Sequence, residues 1–178
     1  ALSFFIVCSA VGRESRAEAL ELREGDRVVF LGNTLIERAQ NYGYLETLLT
    51  IEGPGRSITF RNLGWSADNV FGHSRAVFDR PKAGFGKLRK QVLDAKPTIL
   101  VVGYGSNAAY AGAEGLDTFI EGYSRLLDVL AETRARIVLL SPVRLEEKGA
   151  PLPDPGPQNR NLEVYVKAIG ELASGRGY

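Results

Sequence analysis

Three short stretches of this chain gather glycine, side-chain amides and hydroxyls: Gly32-Asn33-Thr34-Leu35-Ile36-Glu37-Arg38, Asn62-Leu63-Gly64-Trp65-Ser66-Ala67-Asp68-Asn69 and Gly103-Tyr104-Gly105-Ser106-Asn107-Ala108. Such residues can hydrogen-bond a polar ligand and offer Thr34, Ser66 and Ser106 as hydroxyls. They do not suit a metal: one histidine, His73, and one cysteine, Cys8, cannot make the usual ligand sets. Gly103-Tyr104-Gly105 is too short and too late for a dinucleotide fingerprint, and no Gly-x-x-x-x-Gly-Lys occurs. No cofactor is expected.

The elements that must position these stretches alternate in kind. Arg27 to Leu31 reads as a buried strand, Ser57 to Asn62 as a second and less apolar one nearer an edge, and Thr98 to Val102 as the clearest of all. Ala135 to Leu140 gives a fourth, closed by Ser141-Pro142. Between them lie helical stripes: Leu45, Leu48 and Leu49; then Phe85, Leu88 and Val92, ending before Pro97; then Leu116, Phe119, Ile120, Tyr123, Leu126, Leu127 and Leu130. A loop rich in proline and glycine covers 148–157, and a last helix carries Leu162, Tyr165, Val166, Ile169 and Leu172, with Gly175 as its expected stop. Alternation of this kind implies βαβ units and a parallel sheet covered on both faces. In an open sheet of that type ligands bind beyond the carboxyl ends of the strands. The three stretches each follow a strand, so all three are expected to meet on one edge.

Composition bounds the rest. At 178 residues there is room for one domain with a real core. Lys and Arg total 22 against 21 Asp and Glu, which leaves a net charge of +1 and no sign of the concentrated basic face that nucleic acid would need. The sequence contains no methionine and opens with an apolar run from Leu2 to Val11, too short for a stable membrane span. With Ala17-Glu18-Ala19 as a small-x-small cleavage pattern, residues 1–19 read as the remnant of a secretory signal, and the chain as exported to the periplasm or beyond. A lipoprotein signal fits less well, because Val7 stands where a small residue should precede Cys8. The competing reading is a buried N-terminal strand or helix. Cys8 would leave with the signal, and the remaining domain, 25–178, would have no thiol chemistry. Composition is silent on oligomeric state.

Phe-Leu-Gly-Asn-Thr at 30–34 resembles the first block of SGNH (GDSL-like) hydrolases, usually Gly-Asp-Ser. Asn62-x-Gly64 is similar to their second block, and Gly105-Ser106-Asn107-Ala108 to their third, Gly-x-Asn-Asp. Order and spacing agree from about Gly25 onward. Gly43-Tyr44-Leu45-Glu46-Thr47-Leu48-Leu49 and Asn62-Leu63-Gly64-Trp65-Ser66 also resemble a subgroup of large exported planctomycete-type proteins. The resemblance implies a three-layer α/β/α, flavodoxin-like sandwich. It implies acyl transfer on an ester, a small-molecule or carbohydrate ester being the expected partner. Thr34 would occupy the nucleophile position, and the Thr34 amide, Gly64 and Asn107 would form an oxyanion hole. Donors of that kind contribute roughly 3–4 kcal/mol each in acyl-transfer enzymes.

Departures from the family pattern put activity in question. Thr34 replaces serine, and its β-methyl restricts χ1 and crowds the attack path. Asn33 and Ala108 stand where the family has aspartates, and no Asp-x-x-His block occurs before Tyr178. The chain therefore reads as a fragment whose last strand and catalytic loop are missing, and an inactive binding or spacer module is the alternative to a hydrolase. Each residue also has a plainer reading. For Thr34, capping the following helix and nucleophilic duty fit equally well. Gly64 suits a tight turn, Asn107 a cap or a tie between loops, and Ser66 and Ser106 turn positions. His73, just after the second block, has no inherited role.

Overall fold

A computed structural model describes residues 20–178, so the signal remnant expected over 1–19 lies outside the described residues. Four strands, β1 (Arg27–Gly32), β2 (Thr59–Gly64), β3 (Ile99–Gly103) and β4 (Arg136–Leu139), pair in parallel in the order β2-β1-β3-β4. That is the flavodoxin-like order through its fourth strand. β2 is an edge strand as expected, though it sits two residues later than its apolar pattern suggested. The pattern misled because an edge strand buries little. Thr59 and Arg61 are exposed, so hydrophobicity marks its ends poorly.

Among the described residues five α-helices flank the sheet: α1 (Thr34–Ala39), α2 (Tyr44–Glu52), α3 (Pro81–Ala95), α4 (Leu116–Leu130) and α5 (Gly156–Arg176). Alternation along the central strands sends their side chains to two cores. Val29, Leu31, Leu100 and Val102 pack with Leu88 of α3, Tyr123 and Leu127 of α4, and Tyr165 of α5. Val28, Phe30, Ile99 and Val101 pack with Leu22 and with Ile36 of α1, against which Leu45 and Leu49 of α2 lie. The layers are therefore α/β/α, with the heavier helical layer built by α3, α4 and α5. Two expectations shift. Val166 and Leu48 are exposed, and α5 runs through Gly175 to stop at Gly177, where φ is +72°. Pro81 opens α3 at its first turn, and Lys96 closes it in the left-handed conformation just before Pro97.

At the amino-terminal edge of the sheet, Asp26 ties three elements together. Its carboxylate accepts from the Arg23 amide (2.7 Å), from Thr98 Oγ1 (2.6 Å) and from Arg136 Nη2 (2.6 and 2.7 Å). Burial pushes its pKa up, but the hydrogen bonds from Thr98, Arg136 and Arg23 outweigh that and hold it below the usual carboxylate value. A carboxylate whose pKa falls on folding stabilises the fold above its unfolded value of about 3.9, and the contribution disappears as pH falls through the folded value. Asp26→Asn is expected to cost about 2 kcal/mol at pH 7. Urea unfolding should show that difference shrinking below about pH 4; a gap independent of pH would contradict the assignment.

Candidate functional site

The carboxyl ends of β1, β2 and β3 stop at one level. Gly32 is in register with Gly64 on one side and with Gly103 on the other. The three polar stretches that follow therefore share one edge, as their positions after strands implied.

α1 begins two residues beyond Gly32. Its cap is Asn33, buried, whose Oδ1 accepts from the Leu35 amide (3.1 Å). The capping duty weighed for Thr34 thus falls to its neighbour. Thr34 opens the helix, where first-turn N–H groups have no intrahelical partner. Its Oγ1 is turned toward the loop after β2 and accepts a hydrogen bond from the Ala67 amide at 2.9 Å.

Gly64 lies differently from what its place in the second block suggested. Its N–H is donated to Asn62 Oδ1 (2.7 Å), while Asn62 Nδ2 donates to the Ile36 carbonyl (2.7 Å). A Cβ on Gly64 would stand 2.2 Å from the Glu37 nitrogen, so the absence of a side chain is what lets α1 lie against the end of β2. Asn107 is exposed at the head of a short 3₁₀ turn, Ala108–Ala111, and makes no side-chain cap bond. Ser66 Oγ is hydrogen-bonded to Glu37 Oε2. His73 is exposed, stacked on Phe71 with centroids 5.3 Å apart, and its Nδ1 lies 3.2 Å from Asn69 Nδ2. Among the described residues no histidine or carboxylate hydrogen-bonds to Thr34 Oγ1, and no group of three His, Cys, Asp or Glu could hold a metal.

Four residues that sequence reasoning passed over complete the site. Ala67 holds φ at +57°, a conformation that costs an L-residue roughly 1–2 kcal/mol. Its carbonyl accepts from Ser74 Oγ (2.8 Å). Asp68 and Arg75 form a buried ion pair, Nε to Oδ2 at 2.7 Å, with side chains 0% and 1% exposed. Tyr104 donates to the same Asp68 oxygen at 2.9 Å. Burial, and then the charge of Asp68, push the Tyr104 phenol well above its usual pKa, so it remains a donor. The only sequence signal for this cluster was two opposite charges inside an otherwise glycine-rich and amide-rich region. An apolar cavity of about 360 Å³ adjoins the edge, lined by Leu35, Ile36, Leu45, Ser106, Leu140 and Pro142 among others.

No protein-family model and no curated protein sequence matches the chain. Solved structures do. A gut microbial diltiazem-metabolizing enzyme superposes with a TM-score of 0.62 at 19% identity, over 89% of this chain and 36% of its own. An acetyl xylan esterase gives 0.60 at 16%, over 84% and 73%. A protein from Slackia heliotrinireducens assigned to the SGNH hydrolases gives 0.58 at 16%, over 85% and 76%. The chain has the SGNH-hydrolase fold. It spans about a third of the first of these structures and about three quarters of the other two. No helix of the described residues is long and apolar enough to cross a membrane.

Within this fold the two small residues on either side of Trp65 and Ser66 are not equivalent. Gly64→Ala is expected to lose about 3 kcal/mol, because its Cβ meets backbone that cannot yield. Ala67→Gly relieves a left-handed residue and should lose nothing. Denaturant midpoints of the two variants check the order, and the reverse order would contradict the placement.

Proposed function

We propose that this domain acts on carboxyl esters at the carboxyl edge of its sheet, with Thr34 as the attacking hydroxyl. The observation that carries the reading is the Ala67 N–H held 2.9 Å from Thr34 Oγ1. When a hydroxyl adds to an ester carbonyl, the negative charge develops on an oxygen one bond beyond the attacked carbon. A donor that sits beside the nucleophile oxygen lies close to that position and can turn to it as the charge develops. Ala67, rather than Gly64, takes the role of the second-block donor, beside the Thr34 amide and the side chain of Asn107.

In the reaction Thr34 Oγ1 bonds to the carbonyl carbon and its proton passes to a base. The carbonyl π pair moves to the oxygen. Collapse breaks the bond to the alcohol, which leaves with the proton, and water then releases the acid from the acyl-threonine. A small acyl or acetyl ester is the substrate class, on carbohydrate in one version; the likeness to an acetyl xylan esterase fold and the apolar cavity beside Leu35 and Ser106 support it. Export belongs to the same proposal and is supported by the apolar run at 2–11 followed by Ala17-Glu18-Ala19. A secreted form beginning at Leu20 would bear it out.

A second reading is a module that binds esters without cleaving them. The lack of a basic partner on Thr34 Oγ1 among the described residues favours it. Hydrolysis of an activated acetyl ester separates the two. The hydrolytic reading expects measurable turnover that falls by about 10³-fold or more in Thr34→Ala. Equal rates in the two proteins would sink it, and a Thr34→Ser protein that gains nothing would favour the binding module.

A further inference from the structure

We infer that the buried Asp68–Arg75–Tyr104 cluster is a positioning device for the Ala67 amide, and so sets the oxyanion donor of the proposed ester site. The inference rests on the reading of Ala67 as that donor.

The cluster joins the loops that build the site. Arg75 spends each of its three nitrogens on a different element: Nε on Asp68 Oδ2 (2.7 Å), Nη1 on Gln91 Oε1 of α3 (2.6 Å), and Nη2 on the Leu63 carbonyl of β2 (2.7 Å). Its guanidinium also lies over the Trp65 ring, 5.7 Å from the centroid. Asp68 receives Tyr104, the residue directly after β3, on the oxygen that already takes Arg75, and its Oδ1 has no partner among the described residues. One oxygen thus joins the loop after β2 to the loop after β3, and Arg75 carries the link on to α3.

Ala67 precedes Asp68, and its left-handed backbone needs outside support. Its N–H and its carbonyl lie in successive rigid peptide planes joined at the Cα, so both flanks must be held to aim the N–H. With the Ala67 carbonyl accepting from Ser74 Oγ and Asp68 clamped, the Ala67 backbone is gripped on its carboxyl side. Leu63 and Trp65, held by Arg75, fix the entry to the same turn. The remaining freedom leaves its N–H pointing at Thr34 Oγ1. A fully buried ion pair is an expensive way to stabilise a fold. It is a good way to fix one geometry, because planar guanidinium and carboxylate allow few alternative arrangements.

The test follows the Ala67 amide in the whole chain by ¹H–¹⁵N NMR, with exchange against water as readout. Thr34→Val removes the acceptor and defines the signature of a released amide. Tyr104→Phe keeps the packed ring and deletes one bond to Asp68; Arg75→Lys keeps the charge and deletes the fork. Both are expected to raise Ala67 exchange by about tenfold or more and to move its proton shift toward the Thr34→Val value, with the Val101 amide in β3 unchanged. An Ala67 amide as protected in both variants as in the parent would overturn the proposal. So would Ala67 and Val101 losing protection together, since the cluster would then support the fold and not the amide. A chain without esterase activity would sink the hydrolytic reading and leave the amide result standing on its own.

Discussion

Close approach of backbone to backbone at three glycine-ended strands governs this molecule. Gly32 lies between Gly64 and Gly103, and a Cβ on it would stand 2.5 Å from the Gly103 carbonyl and from Ile36. Gly64 allows α1 an equally close approach. Helix α1 can therefore start two residues after β1 and lie against the end of the sheet. That early start brings Thr34 within hydrogen-bonding distance of a loop 33 residues further along. Larger residues at either position would push α1 away and separate the hydroxyl from the amide.

The Asp68–Arg75 pair supplies what glycine cannot. Removing two charges from water costs several kcal/mol per ion in a protein interior, and mutual attraction repays it only when the remaining donors and acceptors are also satisfied. Arg75 meets that condition through Gln91 and Leu63, and Asp68 meets it in part through Tyr104. The net stability is small, but the arrangement is unique. It holds a strained alanine where a glycine would sit more easily, which is the mark of a backbone position fixed by its surroundings.

The opposite edge of the sheet uses the same chemistry for another end. Asp26 gathers Arg23, Thr98 and Arg136 and so aligns the starts of β1, β3 and β4. Arg136 is 30% exposed there, and the carboxylate still profits from its charge. Between the two polar clusters lie the apolar rows of the central strands, which no single ion pair has to orient. Register comes from the strands, and the ends are trimmed by charge.

Local pattern determined much of this by itself. Runs such as Thr98 to Val102 read as buried strands, and the stripe from Leu116 to Leu130 as a helix with one apolar face, because a short β-branched run and a 3.6-residue period are properties of neighbouring residues. Alternation of the two made the sheet parallel and put three polar stretches on one edge, so Thr34 and Asn107 were legible as candidates. Tertiary structure decided which amide faces Thr34. Gly64 ends β2 and Ala67 lies three residues on in the loop that follows, and only the folded backbone sends the N–H of the first to Asn62 and of the second to the hydroxyl. The clamp joining Asp68, Arg75 and Tyr104 was equally invisible, since Tyr104 lies 36 positions from Asp68 and periodicity carries no information about pairs that meet only when the sheet has formed.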